Sequence, residues 1–214
     1  MSRIILDLCG GTGSWSKPYK DAGYDVRLIT LPMFDVTDPY IQEQCIALNP
    51  YGILAAPPCT MFSLARTNAK IPRSLDEGMK AVKGCLSIIW GCQSKIKNDN
   101  QRLSPVKFWA LENPDALLRW FLGKPAIIFH PFHFGDNYKK RTALWGNFNE
   151  PNFNEIQMSF EAELLAKTNS RKLPKFDALE TKEIHPEYYG TLDRKARRSI
   201  TPAGFAKAFF EANP

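Results

Sequence analysis

Short apolar runs alternate with amphipathic segments over the first 150 residues of this 214-residue chain. Apolar runs of four to eight residues between polar or Gly/Pro positions are typical of buried strands, and apolar positions three and four apart predict helices. Strands are predicted over 3–8, 23–30, 53–56, 106–111, 129–134 and 141–146. Helices are predicted over 15–22, 39–48, 75–96 and 202–211, with Asp38 or Thr37 as the cap of the second helix and Thr201 as the cap of the last. Cys85 and Cys92 fall on the third helix, where we expect them to pack in the core. This alternation predicts an α/β fold with a mainly parallel, doubly wound sheet.

Composition narrows the class of protein. With 44% hydrophobic residues, the chain can bury a sizeable core. The five cysteines have no regular spacing and the chain has three histidines, so we expect neither a disulfide framework nor a metal site. No run of 18 apolar residues and no basic-then-apolar leader occurs, which predicts a cytoplasmic protein without a membrane partner.

The net charge of +6 favours a polyanionic partner such as nucleic acid. Basic residues concentrate in two stretches, 64–74 and 167–198, where phosphate contacts are expected. A charge run is also typical of an ordinary solvated face, and this alternative stays open.

A glycine-rich turn directly follows the first predicted strand. Asp7 lies inside the strand, and Cys9-Gly10-Gly11-Thr12-Gly13-Ser14 leads into the first helix. Glycines let a backbone approach a ligand closely, and free N–H groups at a helix start can face it. An acidic residue followed by GxG is typical of S-adenosylmethionine enzymes, in which Asp7 would orient the loop. A tight structural turn is the alternative.

The central predicted strand stops at Pro57-Pro58 and delivers Cys59 into the loop beyond. The two prolines fix φ and donate no backbone hydrogen bond, so the chain leaves the sheet in a stiff, extended form. A cysteine at the carboxyl end of a central strand lies where open α/β sheets bind ligands. Cysteine is also among the most buried residue types, so a core position is the alternative.

Further polar groups follow other predicted strands. Glu112-Asn113-Pro114 ends the strand after Cys59, and Asp35 follows the second strand. The basic triplet Lys139-Lys140-Arg141 opens the last predicted strand. The alternatives are an Asn-Pro turn that leaves Glu112 solvated, local helix capping around Asp35, and a charged strand edge.

In this order the motifs resemble those of the DNA cytosine-5 methyltransferase family. Residues 57–63, PPCTMFS, resemble the family's PPCQxFS nucleophile loop, and ENP resembles its acid motif. Residues 137–141 are similar to the basic QxRxR hairpin, and ITPAGFAKAFFEAN resembles the family's last motif. The match covers about residues 3–146 and the last helix. It implies a Rossmann-like methyltransferase fold, S-adenosyl-L-methionine as cofactor and double-stranded DNA as partner of a monomer.

The resemblance also implies roles for individual residues. Cys59 would attack cytosine carbon 6, Glu112 would contact ring nitrogen 3 and the exocyclic amine, and Arg141 would contact the flipped base or the nucleophile loop. The implied cofactor contacts are Asp7, Cys9, Gly10, Gly11, Thr12, Gly13, Asp35, Pro57 and Thr201. The implied substrate contacts are Pro58, Ser63, Asn113, Pro114 and Lys139.

The chain departs from the family pattern at several points. Thr60 replaces the usual Gln, Lys139 replaces an Arg, and Thr30-Leu31 stands where an acid normally holds the cofactor ribose. We expect a catalytic domain over 1–147, a reduced target-recognition insertion over 148–198 and a returning helix over 199–214. Such compactness is similar to that of orphan phage methyltransferases, which act in bacterial or phage-infected cells.

Other functions remain open at this point. Amino-group methyltransferases place an aromatic residue where Cys59 stands, which disfavours methylation of an exocyclic nitrogen. RNA cytosine-5 enzymes use a second cysteine near the acid motif, and no cysteine lies near Glu112. A catalytically weak or inactive relative that binds DNA or a partner protein is the remaining alternative.

Overall fold

A computed structural model describes residues 2–64, 69–94, 106–136, 138–153, 188, 190–192 and 194–214. Six strands form its sheet: β1 (Ile4–Leu8), β2 (Asp25–Ile29), β3 (Gly52–Ala55), β4 (Phe108–Pro114), β5 (Ile127–Phe129) and β6 (Thr142–Asn147). The helices are α1 (Lys17–Asp21), α2 (Pro39–Ala47), α3 (Leu75–Ser94), α4 (Arg119–Leu122), α5 (Arg194–Ser199) and α6 (Ala203–Ala212). A 3-10 helix covers Pro131–Phe134.

The strands form one sheet in the order β2-β1-β3-β4-β6-β5. The first four in that order run parallel, and β6 lies antiparallel between β4 and β5. The mainly parallel α/β sheet is therefore confirmed and is compatible with a Rossmann-like fold. The carboxyl ends of β1, β2, β3 and β4 all meet at one edge, which is where ligands of such sheets bind.

Helices cover both faces of the sheet, and each face has its own core. Alternate residues of β1, β3 and β4 point to opposite sides, as the pleat requires. One core joins Leu6, Leu8 and Ile53 to α2 and α3. The other is richer in aromatic residues and joins strand residues to α1 and α6: Ile5, Leu54, Phe108, Trp15, Tyr19, Phe205 and Phe209. Cys85 and Cys92 are buried in the first core, as predicted.

The last helix returns to the start of the chain. Phe205 and Phe209 of α6 lie 5.7 and 5.5 Å, centroid to centroid, from the ring of Trp15. The hydroxyl of Tyr19 in α1 donates a hydrogen bond of 2.9 Å to the carbonyl of Asn213. The Trp15–Phe205 pair is tilted and the Trp15–Phe209 pair is edge-on, and aromatic pairs at such distances stabilise a core beyond their apolar area. The C-terminal segment is therefore an integral part of the aromatic-rich core.

Three predicted local features differ from the structure. The predicted strand over 129–134 is instead the end of β5, at Phe129, followed by the 3-10 helix, because Pro131 cannot donate to a strand ladder. Thr201 does not cap α6, because Pro202 occupies that position. A Cβ atom at Gly204 would overlap the carbonyl of Phe134, so the 3-10 helix packs directly on the first turn of α6. The first helix is also shorter than predicted, since residues 11–16 form turns.

Most of the predicted insertion over 148–198, including residues 154–187, lies outside the described residues, as do Arg66 and Asn137. None of the helices in the described ranges is both long and apolar enough to cross a membrane.

Candidate functional site

The path of the chain marks one crevice at the carboxyl edge of the sheet. From β1 the chain moves outward to β2, and it then crosses to the other side of β1 to form β3. Loops that leave neighbouring strands in opposite directions open a crevice between them. The glycine-rich turn follows β1 and the Pro57-Pro58-Cys59 loop follows β3. These two predicted motifs therefore flank the position where this fold binds ligands.

The buried side chain of Asp7 supports the glycine-rich turn. Its side chain is fully buried, and Oδ2 accepts a hydrogen bond of 2.5 Å from the hydroxyl of Ser16. A Cβ atom at Gly10 would overlap the Asp7 carboxyl group, so a residue with a side chain would displace it. Burial raises the pKa of Asp7 to about 6, against hydrogen bonds from Ser16 that lower it. Oδ1 has no hydrogen-bond partner among the described residues.

The turn itself has an unusual backbone. Cys9, Gly11 and Gly13 have φ values of 57°, 56° and 71°, in the left-handed region. Cys9 adopts this conformation with a side chain, which costs about 1 kcal/mol or more. Its N–H donates to the carbonyl of Ile29, and its Sγ lies 3.9 Å from Sγ of Cys85. The turn is thus held between β2 and α3, and its backbone is kept close to the crevice.

The C-terminal segment borders the same turn. The N–H of Thr201 donates a hydrogen bond of 2.8 Å to Oγ of Ser14, and the hydroxyl of Tyr188 donates one of 3.4 Å to the carbonyl of Thr12. Oγ1 of Thr12 is buried and unbonded within the part of the chain that the structure describes. Thr201 therefore lies beside the glycine-rich turn that carries the other predicted cofactor residues. Its backbone N–H holds it there, and it does not cap a helix.

Cys59 is exposed at the start of a single helical turn. Its carbonyl accepts hydrogen bonds from the N–H groups of Phe62 and Ser63, at 3.0 and 2.9 Å. Phe62 is fully buried and anchors this turn against α3, where a Cβ at Gly78 would overlap its ring. Pro58 is exposed and Pro57 is buried. The alternative of a buried structural cysteine does not hold for Cys59.

Arg73 holds the same loop through two of its carbonyl groups. Its Nη1 donates to the carbonyl of Met61, and its Nη2 donates to that of Ser63 at 3.0 Å. A planar guanidinium that donates two hydrogen bonds in a fixed direction restrains both carbonyls at once. The residues directly after Cys59 are therefore fixed by a side chain ten residues further along the chain.

Asn113 joins the two central motifs. It is fully buried in β4, and its Nδ2 donates a hydrogen bond of 2.9 Å to the carbonyl of Pro57. Ala55 pairs with Leu111 in the parallel register of β3 and β4, so the two motifs begin side by side. This contact fixes where the chain leaves β3 before it reaches Cys59.

Glu112 lies near the carboxyl end of β4 and is paired with Lys140. Lys140 Nζ lies 3.8 Å from Glu112 Oε1, and the two side chains are 19% and 16% exposed. The antiparallel register places Glu112 opposite Leu144 and Pro114 opposite Thr142, so the residues just before β6 lie beside the end of β4. A carboxylate and an ammonium group thus share a partly sheltered position at the carboxyl end of β4.

Arg141 points elsewhere. Its Nε is 2.7 Å from Oδ2 of Asp115, whose side chain is 4% exposed and also pairs with Arg119 at 3.2 Å. The N–H of Asp115 donates in turn to the carbonyl of Arg141. In this structure Asp115 holds the arginine predicted to contact the base, and Lys140 is the cation next to Glu112.

The remaining predicted residues lie around the rim. Asp35 is exposed beyond β2, and its Oδ1 accepts hydrogen bonds of 2.8 Å from the N–H and hydroxyl of Thr37. Lys139 is half-buried before β6. Burial lowers the pKa of His130 to about 4, helped by the charges of His133, Arg141 and Lys139. Lys139, Lys140 and Arg141 therefore place three basic side chains at this edge of the sheet, two of them paired with carboxylates.

Several residues at the site were not predicted from the sequence. Arg73, Asp115 and Ser16 contact predicted residues, yet no local motif distinguishes them. Lys140 belongs to the predicted basic triplet, but its pairing with Glu112 was not predicted. Ser16 carries a weak signal, because a serine before a helix is a common cap. The partners of Lys140 and Asp115 depend on the β4–β6 register, which the sequence alone does not give.

Among the described residues, no group of three or more His, Cys, Asp or Glu side chains could hold a metal ion. A comparison with models of known protein families gives no match, and a search of curated proteins finds no significant similarity.

Proposed function

We propose that this protein transfers a methyl group from S-adenosyl-L-methionine to carbon 5 of cytosine in double-stranded DNA, through a covalent adduct of Cys59 with a flipped-out base. The observation that carries the proposal is the hydrogen bond from Asn113 to Pro57, which ties the acid-bearing strand end to the nucleophile-bearing loop. The glycine-rich turn lies on the other side of the same loop, after β1.

The glycine-rich turn after β1 carries groups that suit a small, polar, cationic cofactor. Asp7 presents a buried carboxyl group, and Thr12 presents a buried hydroxyl group. Among the described residues, Oδ1 of Asp7 and Oγ1 of Thr12 have no hydrogen-bond partner. Gly10 has no side chain that would displace the Asp7 carboxyl group. These residues, with Cys9, Gly11, Gly13 and Thr201, would hold S-adenosyl-L-methionine. When bound, this cofactor supplies an electrophilic methyl group beside the crevice.

Cys59 supplies the nucleophile. Carbon 5 of cytosine is a poor nucleophile until a thiolate adds at carbon 6 and converts the ring into an enamine. An exposed thiol at the start of a restrained helical turn is available for that addition. After methylation, loss of the carbon 5 proton and elimination of Cys59 restore the aromatic ring.

Glu112 faces the polar edge of the ring in this proposal. Cytosine carries an exocyclic amine that donates a hydrogen bond, whereas thymine carries a carbonyl that accepts one. A carboxylate at the position of Glu112 favours cytosine and stabilises charge that develops on the ring during addition. The partial shelter of Glu112 strengthens this interaction relative to water.

The charge distribution supports DNA as the partner. The net charge is +6, and Lys139 and Lys140 lie at the edge of the sheet that carries the crevice. Carbon 6 is hidden in a stacked duplex, so the target base must be extruded at a cost of a few kcal/mol. Contacts between basic side chains and phosphates would offset this cost.

A second candidate is a relative that binds DNA without efficient catalysis. It is favoured by the loop after β2, where no acidic residue precedes Asp35 and where Asp35 Oδ1 is engaged by Thr37. Weak retention of the cofactor ribose would follow. The exposed Cys59 and its restrained loop favour the catalytic candidate.

The proposal is tested by incubating the protein with S-adenosyl-L-methionine tritiated in the methyl group. One duplex contains cytosine in both strands, and a matched duplex contains A·T pairs alone. We expect tritium in the first duplex alone, located at carbon 5 after nucleoside digestion, and none with the Cys59→Ser variant. Equal labelling of both duplexes, or undiminished labelling by Cys59→Ser, would refute the proposal.

A further inference from the structure

The cation beside Glu112 is the starting point. Lys140 Nζ is 3.8 Å from Glu112 Oε1, and both side chains are less than one-fifth exposed. Arg141, the next residue, is directed to the buried carboxylate of Asp115 by a contact of 2.7 Å. Lys140 is thus the basic side chain of this hairpin that shares the end of β4 with Glu112.

A carboxylate and an ammonium group side by side match the Watson–Crick edge of cytosine. The exocyclic amine at carbon 4 is a donor and suits the carboxylate, whereas ring nitrogen 3 is an acceptor and suits the ammonium group. Thymine and uracil present the reverse pattern, with an acceptor at carbon 4 and a donor at nitrogen 3. Both contacts would then be repulsive, which is a strong basis for discrimination.

We propose that Lys140 is a catalytic residue that donates a proton to ring nitrogen 3 of cytosine, while Glu112 accepts a hydrogen bond from the exocyclic amine. This inference rests on the proposed function and assigns the two contacts of the acid motif to two separate side chains.

The proton transfer balances the addition of the thiolate. The Sγ lone pair of Cys59 forms the bond to carbon 6, and the electron pair of the carbon 5–carbon 6 double bond moves to join carbons 4 and 5. The pair of the carbon 4–nitrogen 3 double bond moves to nitrogen 3, which takes the proton from Lys140. Elimination of Cys59 reverses these shifts and returns the proton to the Lys140 amine.

The same chemistry provides an assay that needs no methyl donor. The enamine formed by addition can take a proton from water at carbon 5 and lose the original hydrogen before elimination. DNA with tritium at carbon 5 of cytosine should therefore release tritium to water in the presence of this protein alone. The maximal rate of release at saturating DNA reports on the addition step, and the half-saturating concentration reports on DNA binding.

Two substitutions separate proton donation from charge neutralisation. Lys140→Met removes the charge, whereas Lys140→Arg keeps the charge beside Glu112 but offers an acid that is too weak to give up a proton. The matched control is Lys107→Met, which removes an exposed lysine at the amino edge of the sheet, before β4. Thermal unfolding of each variant verifies that it is folded.

We expect both Lys140 variants to lower the maximal rate of tritium release about 100-fold or more, which is the range of general acid catalysis, and Lys107→Met to leave it unchanged. A Lys140→Arg variant within threefold of wild type would overturn the proposal, since a charge alone would then suffice. If Lys140→Met raises the half-saturating DNA concentration but leaves the maximal rate of release unchanged, the proposal is also overturned. Lys140 would then be assigned to phosphate binding. If wild-type protein releases no tritium, the proposed function itself fails.

Discussion

Asn113 Nδ2 donates a hydrogen bond to the carbonyl oxygen of Pro57 at 2.9 Å, and Asn113 is fully buried. Pro57 cannot donate a backbone hydrogen bond, so its carbonyl is the polar group through which β4 can hold this turn. The contact links the strand that carries Glu112 to the loop that carries Cys59. It is the structural basis for treating the two motifs as one site.

Removal of the Asn113 side chain should cost both stability and rate. Asn113→Ala leaves the buried Pro57 carbonyl without this donor, and we expect unfolding free energy in urea to fall by about 1–3 kcal/mol. Methyl transfer should fall more than tenfold, because the Cys59 loop loses its support. The control Asn147→Ala, at the exposed amino edge, should change stability by about 0.5 kcal/mol or less. Equal effects of the two substitutions would contradict this role.

Arg73 should matter more for the loop than for global stability. It is exposed, so Arg73→Ala should cost about 1 kcal/mol or less of unfolding free energy. Amide hydrogen exchange at Phe62 and Ser63 should accelerate, because the carbonyls of Met61 and Ser63 lose their shared donor. Arg73→Lys should not restore protection, since an ammonium group cannot reproduce the planar fork. Unchanged exchange in Arg73→Ala, with Arg27→Ala as control, would show that the loop is held by other contacts.

Alanine substitutions at Gly10 and Gly23 separate two effects of an added Cβ atom. At Gly10 the Cβ overlaps another side chain, and at Gly23 it only strains the backbone. A Cβ at Gly10 would meet the Asp7 carboxyl group, whereas a Cβ at Gly23, where φ is 86°, meets nothing within 4 Å. Gly10→Ala should therefore destabilise the protein by roughly 3 kcal/mol or more and abolish cofactor binding. Gly23→Ala should cost about 1–2 kcal/mol and leave binding intact. Calorimetric titration with S-adenosyl-L-methionine measures cofactor binding by the two variants. A similar loss of binding in both variants would contradict this prediction.

The buried Asp7 should leave a signature in the pH dependence of stability. Its pKa is about 6 in the folded protein, above the ordinary value of 3.8. Between these values the unfolded chain has lost a proton that the folded chain still binds, so unfolding free energy falls as the pH rises from about 4 to 6. The stability contributed by this group is fully present below pH 3.8 and is lost above pH 6.

Asp7→Asn should remove that slope. Two pKa units correspond to about 3 kcal/mol, so the stability of wild type relative to Asp7→Asn should fall by about this amount between pH 4 and pH 7. Urea unfolding at four pH values across this range measures it. A constant difference between the two proteins would show that Asp7 is not held in a raised-pKa environment.

The sequence predicted those parts of the molecule that depend on local pattern. Continuous apolar runs identify β1, β3 and β4, and Asp38 caps α2 as expected by accepting a hydrogen bond from the N–H of Tyr40 at 2.9 Å. Cys59, in the loop after β3, and Glu112, near the end of β4, were identified because prolines end both strands. In each case the physical cause lies within a few residues of the feature.

The errors and omissions have a non-local cause. Pro202 rather than Thr201 stands at the N-cap of α6, where the 3-10 helix packs directly on the first turn. Lys140, rather than Arg141, lies beside Glu112, because Asp115 holds Arg141 across the β4–β6 pair. Such choices between adjacent cations depend on register and on competing carboxylates, which no short motif encodes.

The most direct test of the central claim is covalent trapping on duplex DNA that contains 5-fluorocytosine. Fluorine at carbon 5 cannot leave as a proton does, so a cysteine that has added to carbon 6 and received the methyl group on the ring stays bonded to the DNA. With S-adenosyl-L-methionine present, we predict a stable complex whose digestion yields the modified peptide with the DNA at Cys59, and no complex with Cys59→Ser. Absence of the complex with wild-type protein, or its attachment to another cysteine, would contradict the account.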